Sequence, residues 1–159
     1  MYTQIVKARS ALLVFLTHTL ALPVLKMIRK PTIFPYTTDM LKQLPVGTLG
    51  NDLVQYLEDG SLKLLTHYVK HDMKHIILGY STTDKGEVCL QCFMLGNRHF
   101  SFPVIATVLY GFITMPEFWK SFGEAFIRGR KTISIEGWKW FELVPVQTKE
   151  LQFKLSPLK

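Results

Sequence analysis

Cysteine is scarce in this 159-residue chain: there are two, Cys89 and Cys92. One pair at i,i+3 cannot staple a small secreted fold. Both thiols sit in the apolar run of residues 88–95, without the surroundings of a thioredoxin-type site. Buried free thiols are the expectation. Acidic residues are also few, 12 against 19 Lys and Arg, and charged residues make up 19%. No repeat or low-complexity tract occurs, and disorder is excluded by 48% apolar and 13% aromatic content. The uncharged, mostly apolar stretch over residues 10–23 is shorter than the ~20 residues that span a bilayer. No small-x-small cleavage site clearly follows it. No GxSxG elbow, no HExxH and no glycine loop ending in Lys-Ser/Thr is found, so serine hydrolase, HExxH protease and P-loop chemistries lack their motifs.

What is present is apolar and basic. Mean hydropathy is +0.16 and net charge is +7. The cations are scattered and match no nucleic-acid module, so no nucleic-acid partner is expected. Two short basic groups, residues 26–30 and 128–131, suit an anionic membrane surface. The surplus of apolar and aromatic side chains suits a lipid-lined cavity or a membrane-facing patch.

The stretch that carries chemistry is His71-Asp72-Met73-Lys74-His75, with Glu87 after eleven further residues. Histidines four apart share one helix face. A carboxylate returning after the turn near residues 81–86 could complete a mixed N/O set for one metal ion. Such a set suits zinc, iron, manganese or nickel, and leaves coordination positions open. Asp72 points roughly 100° away from His71 on a regular helix. It stands three residues before His75, so it is either a ligand at a distorted helix end or an orienting partner. His18, His67 and His99 are isolated by comparison.

HDxxH followed by eleven residues and Glu resembles the signature of the coenzyme Q (ubiquinone) biosynthesis protein four family. The segment Leu44-Pro45-Val46-Gly47-Thr48-Leu49-Gly50 is similar to that family's LPxGTLG. The helix continuation Ile76-Ile77-Leu78-Gly79-Tyr80 and the segment from Gly86-Glu87 through Leu90, Phe93, Gly96 and Asn97 agree with it. The similarity runs over about residues 31–97. The arginine usual before the HD pair is missing, and the C-terminal acidic and basic residues are blurred.

The resemblance implies an all-α single-domain helical bundle with an apolar lipid-binding channel. It implies one divalent ion (zinc, iron, manganese or magnesium) held by His71, Asp72, His75 and Glu87. Further implications are a prenylated quinone precursor or polyprenyl lipid as ligand, quinone-biosynthesis proteins as partners, and a homodimer. The implied location is a membrane surface reached from the cytoplasm, or the inner mitochondrial membrane in a eukaryote. The family's role is either oxidative decarboxylation of a prenylated ring or a scaffold for the pathway.

Periodicity and breakers predict helices over residues 3–22, 39–42 and 48–58. A motif helix is predicted over residues 61–78, with Leu62 and Leu65 facing inward. A segment opening at Glu87 reads as helix through the resemblance. A run over residues 102–115, a helix from Pro116 and a short last helix complete the chain. Gly50 near a helix start offers, more weakly, exposed amides for a phosphate.

Overall fold

Thr37 precedes the first helix described in full. Its hydroxyl accepts from the Met40 amide and caps α1, Thr38–Lys42. The computed structural model describes residues 33–66 and 68–156, together with Arg9 and Ala11. The predicted helix over residues 3–22, the basic group at 26–30, His18 and His67 lie outside the described residues. Six helices follow α1: α2 Leu49–Asp59, α3 Val69–Leu78, α4 Asp84–Gly96, α5 Phe102–Thr114, α6 Trp119–Lys131 and α7 Thr148–Lys154. Short 3-10 turns cover Pro116–Phe118 and Trp140–Leu143. No strand occurs among the described residues, only an isolated bridge between Thr48 and Gln147. The fold is all-α.

α4 is the centre of the packing. Val88, Leu90, Cys92, Phe93 and Met94 are buried, so the helix is apolar nearly all round. Cys89 and Cys92 are buried free thiols, as predicted. Burial also raises the pKa of both, that of Cys92 to about 12. α6 crosses α4 at very close range. A Cβ on Gly96 would lie 2.1 Å from the Phe126 carbonyl oxygen, and one on Gly129 2.2 Å from that of Phe93. Two glycines, one on each helix, let the backbones meet. Beyond this crossing the buried amide of Asn97 donates to the carbonyls of Gly129, Thr132 and Ile133 and accepts from the Ile135 amide. One side chain therefore satisfies the backbone where α6 ends.

The LPVGTLG segment builds a helix start. Thr48 caps α2, accepting from Asn51. The Leu49 and Gly50 amides donate to the carbonyls of Val146 and Val144. The amides offered for a phosphate are thus occupied by protein, which overturns that reading of Gly50. The stripe Leu49, Leu53, Val54 and Leu57 is buried as predicted.

The motif helix is shorter than predicted. It starts at Val69 and not near residue 61. Ser61 takes φ +50° and the Leu62 amide donates to the Leu57 carbonyl, so the chain turns out of α2 instead of starting a new helix. Leu62 and Leu65 are half exposed, not core.

Candidate metal centre

α3 and α4 carry the site, and the turn between them sets its geometry. Gly79 ends α3 in the left-handed conformation (φ 71°), with its amide donating to the His75 carbonyl. That conformation is cheap for glycine alone. The reversal brings the Tyr80 carbonyl to within 3.0 Å of His75 Nδ1. Thr83 then caps α4, accepting from the Gly86 amide. Glu87 is placed in the first turn of α4, where the helix dipole favours a carboxylate.

The outcome is a tight group. His71 Nε2 and His75 Nε2 lie 3.1 Å apart, and Glu87 Oε2 lies 3.1 Å and 3.0 Å from them. The His75 side chain is buried, while His71 and Glu87 are 30% and 20% exposed. Gln91, one turn along α4, donates to Glu87 Oε1 at 2.8 Å. That bond turns the other carboxylate oxygen toward the histidines.

The hydrogen bonds fix the chemistry of the group. A carbonyl only accepts, so Nδ1 of His75 carries a proton and donates it to Tyr80. In the neutral ring, Nε2 is then a bare lone pair. It faces a carboxylate oxygen at 3.0 Å. Two electron-rich atoms at that distance need positive charge between them: a proton on Nε2 or a metal ion. Without metal the proton serves. Burial works to lower the His75 pKa, but the hydrogen bond and charge of Glu87 outweigh it and the net direction is up. For Glu87, burial works upward and the two histidines hold the carboxyl far below its usual range.

A divalent ion fits the same three atoms. Donors side by side on one ion about 2.0–2.2 Å away sit about 3 Å apart, as these do. The ring of His75 is already oriented through its other nitrogen, as metal-bound histidines are. His71, His75 and Glu87 could therefore hold a metal ion, each offering one ligand atom.

Asp72, the fourth predicted ligand, is not brought into this group. It lies close enough for both histidines to work on its charge. Burial, the larger effect, raises its pKa. Two tyrosines flank the group. The Tyr56 ring stacks on His75 at 6.2 Å and the Tyr68 ring meets His71 edge-on at 6.2 Å. Burial, with the charges of Glu87 and Asp72, raises Tyr68 to about 12 and Tyr56 further. Both phenols stay protonated at neutral pH. Besides Asp72, Gln91 had a signal in the sequence: a polar residue at i+4 from Glu87 within an apolar run.

No family model and no curated protein matches the chain. The fold is shared with a solved structure: the crystal structure of a protein from Nostoc punctiforme PCC 73102 described as a "putative ubiquinone biosynthesis protein". The TM-score is 0.64 at 22% identity, over 96% of this chain and 81% of that one. The likeness is one of fold.

Among the described residues, no single helix is long and apolar enough to cross a membrane. α5 and residues 116–131 pass such a test together, but they bend by 104°. α5 carries no charged residue and leaves Phe102, Ile105, Leu109 and Ile113 exposed.

Proposed function

We propose that this protein binds one divalent metal ion through His71, His75 and Glu87 and serves in the synthesis of ubiquinone or a related prenylated quinone. The observation that carries the metal is the lone pair of His75 held against the Glu87 carboxylate by the Tyr80 hydrogen bond. The pathway is supported by the shared fold with the Nostoc protein and by the HDxxH-x11-E pattern.

In this reading the substrate is an acidic ring bearing a prenyl chain. His75 and Glu87 are held rigidly, by Tyr80 and Gln91. His71, the more exposed ligand, lies on the side from which a ring can approach. The protonated phenols of Tyr56 and Tyr68 wall the site, and Asp72 places a further carboxyl near its charges. A two-histidine, one-carboxylate ion supplies Lewis acidity or, as iron, the oxygen chemistry of an oxidative decarboxylation. The exposed apolar face of α5 supports a lipid-facing role for that side of the molecule.

Elemental analysis of protein reconstituted at neutral pH tests the metal, with one equivalent expected per chain. Its absence would sink the proposal. Delipidated protein should melt at a higher temperature with a polyprenyl phosphate or quinone added. An unchanged melting temperature would remove the prenyl ligand and leave a metal-binding scaffold.

A further inference from the structure

Arg128 belongs to the predicted basic group at residues 128–131, yet only Arg130 and Lys131 of that group's cations are exposed. The Arg128 side chain turns inward from α6. Its Nη1 donates to the Leu78 carbonyl at 2.8 Å. Its guanidinium carbon lies 5.3 Å from the centre of the Tyr80 ring and 5.5 Å from that of Phe93. Planar guanidinium groups stack on aromatic faces and donate in a fixed fork at once, and lysine cannot do both.

Leu78 and Tyr80 flank Gly79. The reversal that Arg128 grips is the one that aims the Tyr80 carbonyl at His75 Nδ1. Gly79 itself is exposed, and a Cβ there would meet nothing within 4 Å. Packing at Gly79 does not hold the turn. Arg128 supplies the turn with a hydrogen bond at Leu78 and a ring contact at Tyr80.

We propose that Arg128 is a positioning residue for the candidate metal centre: it clamps the Leu78–Gly79–Tyr80 turn so that the Tyr80 carbonyl fixes the His75 tautomer and leaves Nε2 free for the ion. The relay runs from guanidinium to backbone to imidazole, and Arg128 touches no ligand itself. The inference rests on the metal-binding reading above. It extends the site to α6, which also meets α4 at the glycine crossing.

Arg128 also lines a cleft of about 440 Å³, with Lys85, Ser121 and Glu124 on its other walls. Truncation at residue 128 would open space continuous with that cleft. A small guanidinium compound can enter there.

The test uses Arg128→Ala in the full chain, with Arg130→Ala as the neighbouring control. Cobalt(II) titration reads affinity. Nitrogen-15 NMR of histidine-labelled, metal-free protein, recorded above the pH at which the His75 imidazolium signal is lost, reads the tautomer of the neutral ring. Wild type should show the Nδ1–H form and Arg128→Ala a mixture of tautomers. Cobalt affinity should fall about tenfold, toward the low end for outer partners of a metal site. Methylguanidinium should restore both readouts, and Arg130→Ala should change neither. A wild-type tautomer and affinity in Arg128→Ala would overturn the proposal. If Arg128→Ala fails to fold, Arg128→Lys decides by the same two readouts: weakening supports the clamp and wild-type values refute it. Absence of cobalt binding by wild type would instead refute the metal reading, and the NMR readout would still judge the clamp.

Discussion

Replacing Glu87 by Gln separates the two ways of placing positive charge between His75 and residue 87. Glutamine keeps the shape and the chance of a bond to Gln91, but it loses the charge. In metal-free protein the Glu87–His75 pair stabilises the fold only while both groups are charged. Glu87 has a depressed pKa, so its contribution is present above the ordinary carboxyl value of 4.5 and is lost on acidification through its lower folded value. His75 has a raised pKa, so its contribution is complete below 6.5 and is lost as pH rises through the folded value. The pair is therefore strongest between pH 4.5 and 6.5. A hydrogen bond to a charged group contributes about 1.5–3 kcal/mol. With the Glu87 side chain 20% exposed, the lower half of that range applies. At pH 6, metal-free Glu87→Gln should be about 1.5–2 kcal/mol less stable than wild type. As pH rises the gap should shrink, because His75 loses its proton and the new amide can then donate to its lone pair.

Metal reverses the pH trend. The ion displaces the proton, so wild-type affinity should rise with pH while the pair weakens. At a hundredfold excess over Kd, binding adds about 2.7 kcal/mol. In a chain of this size that is roughly 5–11 °C in Tm. Glu87→Gln should lose most of this shift. Thermal melts at pH 6 and pH 8, with and without zinc or manganese, give all four comparisons. An equal metal-induced shift in wild type and Glu87→Gln would refute the assignment of Glu87 as a ligand. A wild-type stability gap that widens with pH in the metal-free melts would refute the account of the pair.

His71→Ala and His75→Ala should each abolish stoichiometric metal by elemental analysis while circular dichroism stays helical. His75→Ala should be the costlier to the metal-free fold, by about 1–3 kcal/mol, since it also strands the buried contact with Tyr80. Gln91→Leu should weaken metal binding about 10–100-fold by calorimetry with little change in melting of the metal-free form. Gly96→Ala should cost about 1–3 kcal/mol or more in urea unfolding, because the Phe126 carbonyl occupies the space a methyl needs. In liposome flotation, binding to anionic vesicles should fall as salt rises, with each contributing cation adding about 1 kcal/mol near the surface. Equal binding to neutral vesicles would assign the contact to apolar residues alone.

The three ligand candidates were legible because helical spacing and a turn suffice to bring His71, His75 and Glu87 together. Their outer partners were not. The acceptor for His75 is a backbone carbonyl, which no side chain announces, and its position depends on a φ value at Gly79. Arg128 looked like a surface cation because sequence proximity to Arg130 and Lys131 hid its inward direction. Asp72 entered the ligand set through the resemblance, and the helix geometry that pointed it away from His71 matches its place outside the group. The α3 boundary was misplaced by a run of leucines. Leu62 and Leu65 carry the right residue type, but a left-handed Ser61 had already diverted the chain. The Gly96–Asn97 pair read only as resemblance, and its packing role depends on partners thirty or more residues away.

The start of α2 has a consequence for synthesis. Its first amides find their acceptors on Val144 and Val146, nearly a hundred residues later. A ribosome delivers the ligand-bearing helices α3 and α4 long before those carbonyls. During translation the LPVGTLG turn therefore stands open to water, and the nascent chain holds all three metal-ligand candidates while its own seam is unclosed. Closure is a late, long-range event of the kind that slows folding. A chain stopped at residue 143 would carry the whole candidate site and still lack the closure.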